Sequence, residues 1–150
     1  MTDKYITPSG FPEYLPEQQR VFNRMKEIFA GVSELYGCVP IETPAVEYMD
    51  TLASKGEVNK EIYTIGRALG EGEGKESDRG LRFDLTVPTA RYVANHYNDL
   101  AFPFKRYQIG PVWRGERPQA GRARQFYQAD IDVIDNENLR PEYDAEIIMI

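Results

Sequence analysis

The stretch from Ile109 to Asp135, IGPVWRGERPQAGRARQFYQADIDVID, restricts the possible folds more than any other part of the chain. Two runs rich in Val, Trp, Phe, Tyr and Ile, PVWR and QFYQADIDVI, flank a polar turn that contains Pro118 and Gly121. Aromatic and β-branched residues on both sides of such a turn predict a hairpin of two strands. In the second run the alternation sets Tyr127, Ala129, Ile131 and Val133 on one face and Gln128, Asp130 and Asp132 on the other. Gln128 and Asp132 then share a face, roughly 13–14 Å apart along a fully extended strand.

Charge makes this hairpin chemically specific. Lys105, Arg106, Arg114, Arg117, Arg122 and Arg124 stand against one acid, Glu116, which gives a local charge of +5 in a chain of formal charge -6, so the remainder carries -11. A concentrated positive patch on an acidic body marks a place for a polyanion. Arginine suits phosphate because its planar fork matches the oxygens two at a time. The carboxylates on the strand face offer acceptors for a cationic or hydrogen-bonding ligand. An overall pI near 4.9 argues against tight nonspecific nucleic-acid binding.

Three blocks carry a family resemblance. WRGERPQAGRARQFYQADIDV resembles motif 2 of class II aminoacyl-tRNA synthetases, and ERPQAGRARQFYQ is close to the form of the histidyl-tRNA synthetases. LRFDLTVPTARYVA, Leu81 to Ala94, resembles that family's amino-acid-binding strand and following helix. Phe29 to Pro44 resembles motif 1: an amphipathic helix, a glycine, a short strand, then Glu-Thr-Pro. The blocks stand in the right order and cover most of the chain. The segment SGFPEYLP, Trp113 and Gly115 depart from the forms common among relatives.

The resemblance implies a mixed α/β (α+β) domain on a mainly antiparallel sheet flanked by helices, here truncated. The whole of 1–150 would be the N-terminal part of the class II catalytic core. No motif 3, later histidine-specific block or anticodon-binding domain occurs in these 150 residues. The implied activity is histidine–tRNA ligation: histidine and ATP give histidyl-adenylate, and the histidyl group passes to tRNA(His). Such chemistry needs charge neutralisation and alignment at the α-phosphate rather than a covalent nucleophile. Arg114 occupies the motif 2 arginine position and would bind the carboxylate and the α-phosphate. Glu116 would accept from the adenine amino group. Asp84, Leu85, Thr86 and Gln128 would hold the substrate and its ammonium, and Asp132 would read the imidazole ring. Arg117, Arg122 and Arg124 would touch phosphates or the tRNA. Magnesium is expected with ATP, with no ligand placed. The motif 1 region would form the seam of a homodimer.

Two other readings compete. One is a regulatory paralogue that senses histidine for ATP phosphoribosyltransferase and ligates nothing; the intact Arg114, Glu116 and basic loop favour the enzyme. The other is a plain nucleic-acid-binding module. Another class II specificity would need a different set around Gln128 and Asp132.

The remaining residues read simply. A composition of 41% hydrophobic and 12% aromatic residues is that of a globular chain, one domain or a piece of one. A helix is expected from Pro16 to Gly37, with Val21, Phe22, Met25, Ile28, Phe29, Val32, Leu35 and Tyr36 inside an arc of roughly 140° at 100° per residue. Glu61 to Ile65 and Leu81 to Asp84 read as strands, separated by a Gly-rich, acidic run that suits a flexible hairpin tip. GEGEGK is no phosphate loop: Glu76 stands where a hydroxyl belongs, and Leu69 where the first glycine belongs. Thr86 is expected to cap a helix with Pro88 in its first turn and Val87, Ala90, Ala94 and Tyr97 buried. Pro141 to Ile150 opens a further helix that stops on an apolar run, which suggests a piece of a longer protein. One cysteine, Cys38, precludes an internal disulfide, no run approaches a membrane span, and Met1-Thr-Asp-Lys is no secretory signal; the cytoplasm is the expected compartment. Lone His96 gives no support to a metal site.

Overall fold

A computed structural model of the chain describes residues 5–55, 61–66 and 77–150. In order, its elements are α1 (Pro16–Leu35), β1 (Val39–Pro40), β2 (Val46–Tyr48), α2 (Met49–Leu52), β3 (Arg79–Leu81), α3 (Thr86–Asn95), β4 (Phe104–Trp113), β5 (Gln125–Ile134) and α4 (Glu142–Met149). β1, β4 and β5 form one sheet in that order, with β1 parallel to β4 through Val39 opposite Arg106 and Pro40 opposite Tyr107. β2 and β3 form an antiparallel pair. The expected tip between residues 67 and 76 lies outside the described residues.

The chain divides into two compact units. The first comprises Met1–Glu13, Thr43–Arg91 and Pro111–Tyr127; the second comprises Tyr14–Glu42, Tyr92–Gly110 and Gln128–Ile150.

In the second unit α1 starts at a proline that tolerates the first helical turn and stops where Gly37 takes a φ of 79°. Its apolar arc is only partly covered. Phe22, Phe29, Val32 and Tyr36 are half-buried, and Phe29 meets the Tyr107 ring edge-on at 6.5 Å. Val21, Met25, Ile28 and Leu35, on the other side of the arc, stay exposed. Tyr107 donates its hydroxyl to Glu34 Oε1 at 2.8 Å, and burial followed by that carboxylate pushes the phenol up from its ordinary value. Burial likewise raises the thiol of Cys38, which is 3% exposed and packs as a small buried hydrophobe. Lys105 reaches the Tyr36 carbonyl and Glu146. α4 forms as expected, with none of its residues buried.

In the first unit the sequence is followed less closely. The Glu61–Ile65 run makes a bridge to β3 only at Thr64, opposite Gly80. β3 ends at Leu81; the next residue, Arg82, still donates its backbone N–H to the Ala45 carbonyl at 2.8 Å, while its guanidinium turns inward and donates to the carbonyls of Pro111 (2.8 Å) and Thr43 (2.6 Å). The expected buried stripe of α3 is displaced: Pro88 and Thr89 are buried, while Ala90, Ala94 and Tyr97 are exposed. Polar side chains can face inward here because they are satisfied. Thr89 donates to the Leu85 carbonyl at 2.7 Å, and Arg91 grips both oxygens of Glu47 at 2.6–3.0 Å.

Candidate active site

Arg114 stands just past the end of β4, where the hairpin begins to turn. Its backbone N–H donates to the Arg124 carbonyl at 2.8 Å, and Trp113 Nε1 donates across the pair to Gln125 Oε1 at 2.9 Å. The turn itself closes between Gln119 and Arg122, which exchange backbone hydrogen bonds around Ala120 and Gly121, and Gly121 adopts a left-handed φ of 79°. The return strand is held from outside as well. The Gly10 carbonyl accepts from both Arg124 N (2.7 Å) and Gln125 N (3.0 Å). Gly10 has φ 87°, and a Cβ there would lie 2.8 Å from Arg124 Cγ, so only glycine allows this approach.

The Arg114 guanidinium lies between two rings, 4.3 Å from the Phe83 centroid and 5.0 Å from that of Phe126. Nε is 3.4 Å from the Phe83 carbonyl, and no ion pair among the described residues includes it. It borders a cavity of about 520 Å³ lined with Glu116, Gln119, Gly121, Arg122, Ala123 and Phe126. The two ring contacts hold the guanidinium at the cavity without pairing it to a carboxylate, an arrangement suited to an anion. The bland alternative, an Arg114–Glu116 pair, does not form: Glu116 pairs instead with Arg122 at 3.3 Å.

The basic patch is smaller than the sequence suggested. Arg106 is fully buried, and Lys105 is tied to Glu146. Arg124 spends its donors on the carbonyls of Glu116 (3.1 Å) and Ser9 (3.4 Å). Arg117 and Arg122 are the exposed arginines of the turn.

Among the other expected site residues, Asp84, Leu85 and Thr86 lie in the first unit with Arg114 and Glu116. Asp84 is 8% exposed rather than a solvated turn acid, and its Oδ1 accepts from Val87 N at 3.0 Å. The helix-capping acceptor is therefore Asp84 and not Thr86, which is exposed in the first turn. Leu85 is completely buried. Gln128 and Asp132 lie in the second unit. There Gln128, Asp130 and Asp132 are half-buried, while on the opposite face Tyr127 and Ala129 are exposed and Ile131 and Val133 are half-buried. The matching residues of β4 are also polar, Arg106 at 0% and Gln108 at 2% exposure. Gln128 Oε1 is buried without a hydrogen-bond partner, and Asp132 meets Arg106. A polar, inward row on a sheet is poor packing and good ligand chemistry.

Residues 10–150 match the family model described as Histidyl-tRNA synthetase. The chain belongs to the histidyl-tRNA synthetase family. It is 53% identical to the histidine–tRNA ligase of Thermobifida fusca (strain YX) over 93% of its own length, which is 32% of that relative. A crystal structure of histidyl-tRNA synthetase from Nostoc sp. PCC 7120 superimposes with a TM-score of 0.84 at 46% identity, covering 96% of this chain and 32% of that one. The ATP phosphoribosyltransferase regulatory subunit/histidyl-tRNA synthetase from Bacillus halodurans C shares the fold, with a TM-score of 0.78 at 24% identity over 97% of this chain and 36% of that one. The chain thus spans about a third of the length of its curated histidyl-tRNA synthetase relatives. Its mixed α/β architecture with an antiparallel pair is that of the family, as the three sequence blocks implied. Sequence reasoning missed the clamp of Phe83 and Phe126 and the partnership of Arg106 with Asp132. Both aromatics flank arginine-bearing strands in the sequence, a signal visible once Arg114 is read as needing a stacking surface.

Proposed function

We propose that this chain forms part of a histidine–tRNA ligase that activates histidine with ATP to histidyl-adenylate and transfers the histidyl group to tRNA(His). The observation that carries this reading is the Arg114 guanidinium, placed over the Phe83 and Phe126 rings at the cavity and in no ion pair among the described residues, the Glu116 of the same cavity being paired with Arg122. Such a group neutralises charge that builds at an α-phosphate during attack by a carboxylate. In this reading Arg114 bridges the two reactants. Glu116 accepts from the adenine amino group, exchanging its Arg122 partner for the nucleotide. Asp84, Leu85, Thr86 and Gln128 hold the amino acid, and Asp132 accepts the ring N–H. The buried, unpartnered Gln128 Oε1 supports a ligand with donors to offer. Phosphate or tRNA contact falls to Arg117 and Arg122, with Arg124 shaping the turn through the two carbonyls it holds.

Magnesium would arrive with ATP; among the described residues no cluster of three or more candidate ligands is assembled to hold it independently. The uncovered side of α1, with Val39 of β1 also exposed, supports the motif 1 region as a homodimer seam. No described helix is long and apolar enough to cross a membrane, and the cytoplasm is the compartment this reading calls for. The test is ATP–pyrophosphate exchange by the full natural polypeptide containing this chain, assayed with each amino acid. Exchange stimulated by histidine alone is expected. Histidine binding with no exchange would replace the ligase reading with the sensor reading, and exchange driven by another amino acid would overturn the specificity.

A further inference from the structure

The arginines of this molecule differ in how completely they are used. Arg82, 2% exposed, donates Nε and Nη1 to backbone carbonyls. Arg91 makes three hydrogen bonds to Glu47. Both are hydrogen-bonded through two of their nitrogens, as structural guanidinium groups should be. Arg106 is more deeply buried than either, at 0% exposure, yet Nε, Nη1 and Nη2 make no hydrogen bond among the described residues. Its one ion pair there is Nη2 to Asp132 Oδ2, a close approach outside hydrogen-bonding alignment. A buried cation used so incompletely is costly if its task is only to hold the fold.

Asp132 is the informative partner. Its Oδ2 is buried against Arg106, while the side chain as a whole keeps 37% of its surface open, which leaves Oδ1 as the oxygen within a ligand's reach. By itself an open carboxylate attracts cations. With a guanidinium behind it, the pair is neutral overall and still presents a fixed acceptor. That combination favours a neutral ring N–H over an ammonium or guanidinium side chain, because a second cation would face Arg106. Gln128, four residues earlier on the same strand face, adds a second buried acceptor with no hydrogen-bond partner.

We propose that Arg106 is a specificity-determining positioning residue, which fixes one oxygen of Asp132 and offsets its charge so that the other oxygen receives the N–H of a neutral imidazole. This rests on the preceding reading of Asp132 as the acceptor for the histidine ring. Arg106 acts through Asp132 and touches no substrate itself.

The test is a double-mutant cycle in the full natural polypeptide, with Arg106→Met, Asp132→Asn and their combination, followed by ATP–pyrophosphate exchange. Histidine-dependent exchange by the unsubstituted protein comes first; its absence would overturn the preceding reading and this one together. Given that exchange, Arg106→Met is expected to raise the KM for histidine by about ten-fold or more while the KM for ATP stays within about two-fold. In the Asp132→Asn background the same substitution should add less than about three-fold. An unchanged histidine KM, or an equal rise in both backgrounds, overturns the role of Arg106 alone. A parallel rise in the KM for ATP would mark a merely structural arginine and overturns it as well. If Arg106→Met does not fold, the same cycle is run with Arg106→Lys. A histidine KM raised only while Asp132 is intact supports the proposal, and no rise, or the same rise in both backgrounds, overturns it.

Discussion

Two side chains show how local surroundings decide what a residue does. Arg114 could in principle be replaced by another cation, but lysine has no plane to lie between Phe83 and Phe126. On the proposed ligase reading, Arg114→Lys is therefore expected to slow adenylate formation by about 100-fold or more, with thermal stability little altered. Pre-steady-state measurement of pyrophosphate release checks this, and a near-normal rate would show that charge without orientation suffices. Tyr107 illustrates a structural counterpart. Its phenol, raised above the ordinary value of 10.0 by burial and by Glu34, contributes stability that is complete below that value and is lost as pH climbs through the raised one. Tyr107→Phe should cost about 1 kcal/mol at neutral pH and remove this alkaline loss, as urea titrations at pH 8 and pH 11 would reveal. The sequence pointed to Arg114 because charge and spacing are written in it. It could not show that Arg106 leaves the basic patch for the interior, since burial of a guanidinium depends on which strand lies opposite.

At the level of elements, the hairpin was the most readable part of the chain: aromatic and β-branched flanks, a proline and a glycine at the turn. The termini of α1 were equally plain. Faces were harder. α3 hides Pro88 and Thr89 rather than Ala90 and Ala94, because hydroxyl and guanidinium groups that find local acceptors can turn inward where alanines need not. β5 likewise covers a polar row, Gln128, Asp130 and Asp132, beside a neighbour that carries the buried Arg106 and Gln108. Hydrophobic patterning marks the core only where the core is apolar. On α1 it marked two surfaces at once, one packed on Tyr107 and one open. If the open one is the proposed dimer seam, the pair Met25→Glu and Ile28→Glu should shift the full polypeptide to monomers in sedimentation velocity while its far-ultraviolet circular dichroism is preserved. Dimers unaffected by both charges would assign the seam elsewhere.

For the molecule as a whole, the chain matches about a third of its relatives' length, so the ligand groups described here are those that this third contributes. The 150 residues alone are expected to bind histidine and ATP only weakly, with dissociation constants of about a millimolar or above. Isothermal titration against each ligand measures this, and micromolar binding of histidine would mean that this third suffices for recognition. One arrangement also has a practical implication. A single carbonyl, at Gly10, restrains two successive amides on the outer strand of the arginine turn, so the segment around Gly10 acts as a clasp on a loop more than a hundred positions away in the chain. Trimming the chain past Gly10 to tidy an expression vector would unhook that loop.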